Sequence, residues 1–154
     1  MPKTFINGID LYYHIYGSGA PIILVHGLGG DHSTWDPQVP EFSRTHQVIV
    51  YDLRGHGQSE SPDHPYSIDL LADDLDQFIH FLGLTQVVIL GLSLGGRILL
   101  WFALKYPQEI QAMILADTQS ETPAEAAYGL PALAEIVRGR RGRCSLDSLL
   151  LSSF

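Results

Sequence analysis

The chain has 154 residues, 45% of them hydrophobic and 17% charged, with a formal net charge of −8. Such a length can bury the core of one domain, and the composition is that of a folded globular protein rather than a disordered one. The acidic balance excludes a nucleic-acid partner for the body of the chain, and the single cysteine, Cys144, excludes a disulfide framework or a cysteine-built zinc site within one chain.

The first residues, Met1-Pro2-Lys3-Thr4-Phe5, hold no apolar signal core. The longest apolar run, Ile98 to Leu104, is far too short to span a bilayer. The expectation is a cytoplasmic protein with no membrane partner.

Phe5-Ile6 and Leu11 to Tyr16 flank Asn7-Gly8, a strong hairpin turn signal. Ile22 to Val25 is a continuous apolar run, as expected of a strand buried on both faces, and it ends in the loop His26-Gly27-Leu28-Gly29-Gly30. Trp35, Val39 and Phe42 recur at helical spacing, but Pro37 and Pro40 allow only a short or broken helix. Val48 to Tyr51 is the next strand. A glycine-punctuated turn follows, Asp52-Leu53-Arg54-Gly55-His56-Gly57-Gln58-Ser59, whose Asp52 and Arg54 are expected to fix its shape.

Ser67 is placed to cap a helix whose apolar face is Leu71, Leu75, Phe78, Ile79 and Leu82, with Gly83 at its end. Asp69, Asp73, Asp74 and Asp76 read as its solvated side rather than as a metal site. Strands over Val87 to Leu90 and Met113 to Ala116 are joined by a helix from Leu94 to about Tyr106, closed by Pro107. This alternation predicts an α/β fold with a doubly wound, mostly parallel sheet. Residues 1–118 form the core; 119–137 favour a helix, the start of a cap or lid beside the site. Residues 138–154 change character abruptly, from Arg138, Arg140, Arg141 and Arg143 to a Ser- and Leu-rich tail. A solvated arginine segment and a truncated or frame-altered C-terminus explain that shift more simply than a partner-binding patch.

The chemistry centres on Gly91-Leu92-Ser93-Leu94-Gly95-Gly96, where an apolar strand meets a helix. Gly-x-Ser-x-Gly in that setting is a nucleophile elbow, a sharp turn that lifts the serine hydroxyl above a sheet. Gly91 and Gly95 allow close backbone approach, and the helix starting at Leu94 aims its free N–H groups at the reaction centre. The expected oxyanion donors are the N–H groups of Leu94 and of Leu28, the latter in the loop opened by Gly27. A phosphate-binding reading of that loop fails. The Gly-x-Gly-x-x-Gly pattern is broken, and no Gly-Lys-Ser/Thr exists in the sequence.

From about Phe5 to Thr118 the chain resembles the N-terminal portion of α/β-hydrolase-fold proteins. The resemblance rests on His26 to Gly30, Asp52 to Ser59 and Gly91 to Gly96, in that order and separated by strands. It implies a Ser–Asp–His triad, a mixed eight-stranded sheet and no cofactor or metal. The wording is similar to small carboxylesterases and enol-lactone hydrolases. Epoxide hydrolases and haloalkane dehalogenases of this fold place an aspartate at the elbow, and Ser93 speaks against both. The expected activity is hydrolysis of a small carboxylic ester or lactone through an acyl-enzyme on Ser93. By the same resemblance, His26 sits at the base of the oxyanion loop and His56 in a surface turn, neither acting as the base. Asp117, at a strand end, is either an orienting acid or a loop cap.

All seven histidines precede Ser93, whereas in this architecture the triad histidine follows the nucleophile. Strands seven and eight are likewise expected to be missing, which leaves Met113 to Ala116 as an apolar sheet edge open to self-association. Two readings stand: a serine hydrolase whose base lies elsewhere, and a non-catalytic or truncated domain of the same fold.

Overall fold

The computed structural model describes residues 2–119. The expected cap helix and the arginine- and serine-rich tail lie outside the described residues from position 120 onward.

The chain opens with a hairpin, β1 (Lys3–Ile6) and β2 (Ile9–Tyr16), paired antiparallel around Asn7 and Gly8 at φ 47° and 81°. Then come β3 (Ala20–Val25), a 3₁₀ turn (His32–Trp35), the one-turn helix α1 (Val39–Phe42) and β4 (His46–Tyr51). α2 (Ile68–Phe81), β5 (Val87–Leu92), α3 (Leu94–Lys105) and β6 (Ile110–Ala116) complete the described part. One six-stranded sheet runs β1-β2-β4-β3-β5-β6. β3 pairs in parallel with β4 and β5, and β5 with β6, while β2 meets β4 antiparallel.

Because successive strand residues point to opposite faces, β3 and β4 feed two separate cores. Ile23, Val25, Ile49 and Tyr51 pack with Leu71, Leu75, Phe78 and Ile79 of α2 and with Ile98, Leu99 and Phe102 of α3. Ile22, Leu24, Val48 and Val50 turn the other way, onto Trp35 and Val39. Covered on both faces, the sheet is doubly wound, as the unbroken apolar runs predict. α2 begins as expected, with the Ser67 hydroxyl accepting the Leu70 N–H at 3.0 Å.

Three expectations need correction. β6 starts at Ile110 rather than Met113, because the 3₁₀ turn Pro107–Glu109 feeds straight into pairing with β5. Ile110 pairs with Val87 and Ala112 with Val88, and Gln111 is the extra residue of the register shift between them, so a polar residue interrupts the apolar run that the strand otherwise shows. Asp74 is not on the wet side of α2: it is 2% exposed and bound to Arg54. His56 is not in a surface turn but buried, its ring centroid 5.2 Å from that of His26. Among the described residues β6 is the sheet edge beside β5, and Ile114 and Leu115 on it are exposed.

Candidate active site

Ser93 is the junction between β5 and α3, with φ 51° and ψ −110°. A non-glycine residue held there stores strain of about 1–3 kcal/mol, which the surroundings must over-determine. They do so through the backbone. The Ser93 N–H donates to Ala116 O at the end of β6 at 2.9 Å, and the Ser93 carbonyl accepts the Arg97 N–H at 3.1 Å. The Thr118 hydroxyl also reaches that carbonyl at 3.3 Å. The side chain is left exposed at the C-terminal end of the sheet.

The flanking glycines are required by close packing. A Cβ on Gly91 would sit 2.6 Å from the Gly96 nitrogen, and one on Gly95 would sit 2.8 Å from the His26 carbonyl oxygen. Both distances are below any real contact, so α3 starts against β3 and β5 only because neither position has a side chain. Gly27 brings the loop after β3 to the same turn: its Cβ would lie 3.3 Å from Leu92 O and 3.4 Å from the Ser93 Cβ. Leu28 follows directly, half-buried, and Leu94 is the first, buried residue of α3. As a first helical residue, Leu94 has an N–H with no intrahelical acceptor.

The loop carrying Leu28 is tied down at both ends. At its start, the buried His26 ring donates from Nδ1 to the Gly27 carbonyl at 2.8 Å and accepts the Leu53 N–H on Nε2 at 3.0 Å. Burial, with His56 beside it, lowers the His26 pKa from 6.5 to about 4. A neutral ring with both nitrogens engaged is a brace and has no lone pair for a proton on Ser93. At the far end, Asp52 accepts the His32 N–H at 2.6 Å and its ring Nδ1 at 2.7 Å. The second Asp52 oxygen takes the Gln58 N–H at 2.7 Å. The 52–59 turn is thereby the clamp of the 26–32 loop.

Arg54, expected to fix that turn, does so from below. Its Nε and Nη2 bind Asp74 at 2.8 and 2.7 Å, and Nη2 also reaches Asn7 O at 2.8 Å. Sequence reading missed this partner and the role of His32. Position 74 falls between Leu71, Leu75 and Phe78 at helical spacing, so a signal for its burial was present.

Asp117 follows β6 directly, exposed and at φ 47°. Its neighbours Ala116 and Thr118, rather than its own carboxylate, bond the Ser93 backbone. The structure therefore gathers Gly27, Leu28, Gly91, Ser93, Leu94 and Gly95 at one end of the sheet, with the Asp117 segment alongside. Among the described residues no side chain hydrogen-bonds the Ser93 hydroxyl.

Two groups have donors close enough for a metal ion, Asp31–His32–Asp52 and Asp76–His80–Glu109. In the first, both Asp52 oxygens already accept hydrogen bonds in the loop clamp. Among the described residues no helix is long and apolar enough to cross a membrane.

Comparison with known proteins agrees with this geometry. The family model for the alpha/beta hydrolase fold matches residues 20–151. The chain is 33% identical over 132 residues to 3-oxoadipate enol-lactonase 2 of Acinetobacter baylyi, covering 84% of the chain and 49% of that protein. It is 30% identical over 115 residues to a soluble epoxide hydrolase of a Corynebacterium species, covering 75% and 40%. It superposes with a TM-score of 0.80 and 35% identity on a thermophilic esterase from Thermogutta terrifontis, covering 92% of the chain and 54% of that one. The chain spans between a fifth and a half of the length of the curated relatives it matches. A doubly wound sheet, a serine on a strained strand-to-helix turn and this breadth of relatives make the chain a member of the alpha/beta hydrolase fold family.

Proposed function

We propose that the protein is a serine hydrolase of small carboxylic esters or lactones, with Ser93 as its nucleophile. The observation that carries the proposal is the exposed Ser93 side chain on a backbone held at φ 51° between β5 and α3. That strain has no structural use if the hydroxyl does nothing. A serine at this position, where epoxide hydrolases of the fold carry an aspartate, favours acyl chemistry over epoxide opening. The lactone- and ester-cleaving relatives point the same way.

In this reading Ser93 Oγ attacks the substrate carbonyl carbon and its proton passes to a base. The oxyanion rests on the Leu94 and Leu28 N–H groups, in a site that Gly27, Gly91 and Gly95 keep narrow. The alkoxide leaves with that proton, and water then cleaves the acyl-Ser93 ester. His26, engaged at both nitrogens, is not that base, and a histidine in an extended form of the chain or in a partner would supply it. Asp117 would orient that histidine. Without it, turnover falls on the order of a millionfold.

The second reading, a domain of this fold without catalysis, is favoured by one observation: every histidine of the sequence precedes Ser93. Added imidazole separates the two. Hydrolysis of p-nitrophenyl acetate by the chain should exceed that by Ser93→Ala, and the gap should widen as imidazole substitutes for the base. Identical rates at every imidazole concentration, with both proteins folded, would leave only the second reading.

A further inference from the structure

Far from Ser93, at the junction of the C-terminal end of α2 with the turn that enters β6, three ligand-type side chains converge. Asp76 and His80 lie one helical turn apart on α2, and Glu109 ends the 3₁₀ turn Pro107–Glu109. One donor atom from each lies within 4.8 Å of the other two. Nothing in the hydrolase chemistry uses them.

We propose that Asp76, His80 and Glu109 form a binding site for a divalent transition ion of the zinc type. The Glu109 side chain is 9% exposed, yet its Oε2 is fully buried with no hydrogen-bond partner. A buried, unpartnered carboxylate oxygen costs free energy unless a proton or cation meets it. The negative charge of Asp76 stands beside it, so two carboxylates face one small space.

The imidazole is arranged as a ligand is. His80 Nδ1 donates to the Asp76 backbone carbonyl at 2.9 Å, which fixes the tautomer and leaves the Nε2 lone pair free. Nε2 lies 3.7 Å from Glu109 Oε1, too far for a hydrogen bond. Two atoms each about 2.1 Å from a tetrahedral ion stand roughly 3.4 Å apart, so small side-chain movements close the site on one ion. His80 itself is 64% exposed, which supplies a path for entry and room for water as a fourth ligand. The C-terminal end of α2 adds its own partial negative charge. One imidazole with two carboxylates selects zinc over magnesium, which keeps its waters and prefers oxygen donors.

The test is calorimetric titration of zinc chloride into the chelator-treated chain, with thermal unfolding alongside. One ion per chain should bind and raise the melting temperature, and magnesium should do neither. His80→Ala, at an exposed position, should weaken zinc by an order of magnitude or more without loss of fold. Glu109→Gln should do the same. His32→Ala, which touches the other donor group, should leave zinc binding intact. A chain that binds no zinc, its carboxylates sharing a proton instead, overturns the proposal. So does zinc binding that survives His80→Ala and Glu109→Gln or is lost in His32→Ala.

Discussion

Asp52 holds His32 twice, by the backbone N–H at 2.6 Å and by the ring Nδ1 at 2.7 Å, while its other oxygen binds the Gln58 N–H. A fully buried carboxylate thus fixes the far end of the loop that carries Leu28 beside Ser93. Asp52→Asn keeps the shape but must aim an NH₂ at an N–H donor or at the imidazole. The expected loss is about 1–3 kcal/mol in urea unfolding. His32→Ala should cost less, because the backbone N–H bond to Asp52 survives.

The Arg54–Asp74 pair is buried on both sides, and Asn7 contributes its carbonyl to Arg54 and its amide to Asp74 at 2.7 Å. Removing one partner leaves an uncompensated charge in the core. Arg54→Met or Asp74→Leu alone should destabilise by about 3–5 kcal/mol. The double substitution should recover much of that loss, because the penalty lies in the orphaned charge rather than in the absent pair. Equal unfolding midpoints for the single and double variants would contradict this reading.

Burial first, and then His56, hold the His26 pKa at about 4 against an ordinary 6.5. The folded protein therefore keeps this ring neutral where the unfolded chain takes up a proton. Stability is unaffected by His26 above pH 6.5 and falls as the pH drops from 6.5 to about 4, by about 3 kcal/mol in total for this one residue. His56, lowered chiefly by burial, acts in the same direction. Melting temperature against pH should show a descending limb on acidification through this window. His26→Gln should flatten it.

Much of this was legible in the sequence, for reasons that differ by element. The runs Ile22–Val25 and Val48–Tyr51 announce strands buried on both faces, and Ser67 with Leu71, Leu75 and Phe78 announces α2, because periodicity and capping are local. The elbow is legible because only glycine fits at 91 and 95. Asp74 was misread because a charge count ignores its position within the apolar stripe, and its partner Arg54 lies 20 residues away in another element. The burial of His56 follows from the packing of its turn against His26, a tertiary relation no local pattern encodes. β6 was read short because Gln111, the extra residue at the register shift, interrupts its apolar run.

Ser93 is the group proposed to accept an acyl chain. The most direct measurement is peptide mapping by mass spectrometry after brief exposure of the chain to p-nitrophenyl acetate, beside Ser93→Ala. Without a histidine to activate water, an acyl group once transferred should stay in place. The predicted result is acetylation at Ser93, absent at that peptide in the variant. Acetyl groups found only on other nucleophiles, in equal yield in both proteins, would contradict the assignment of Ser93.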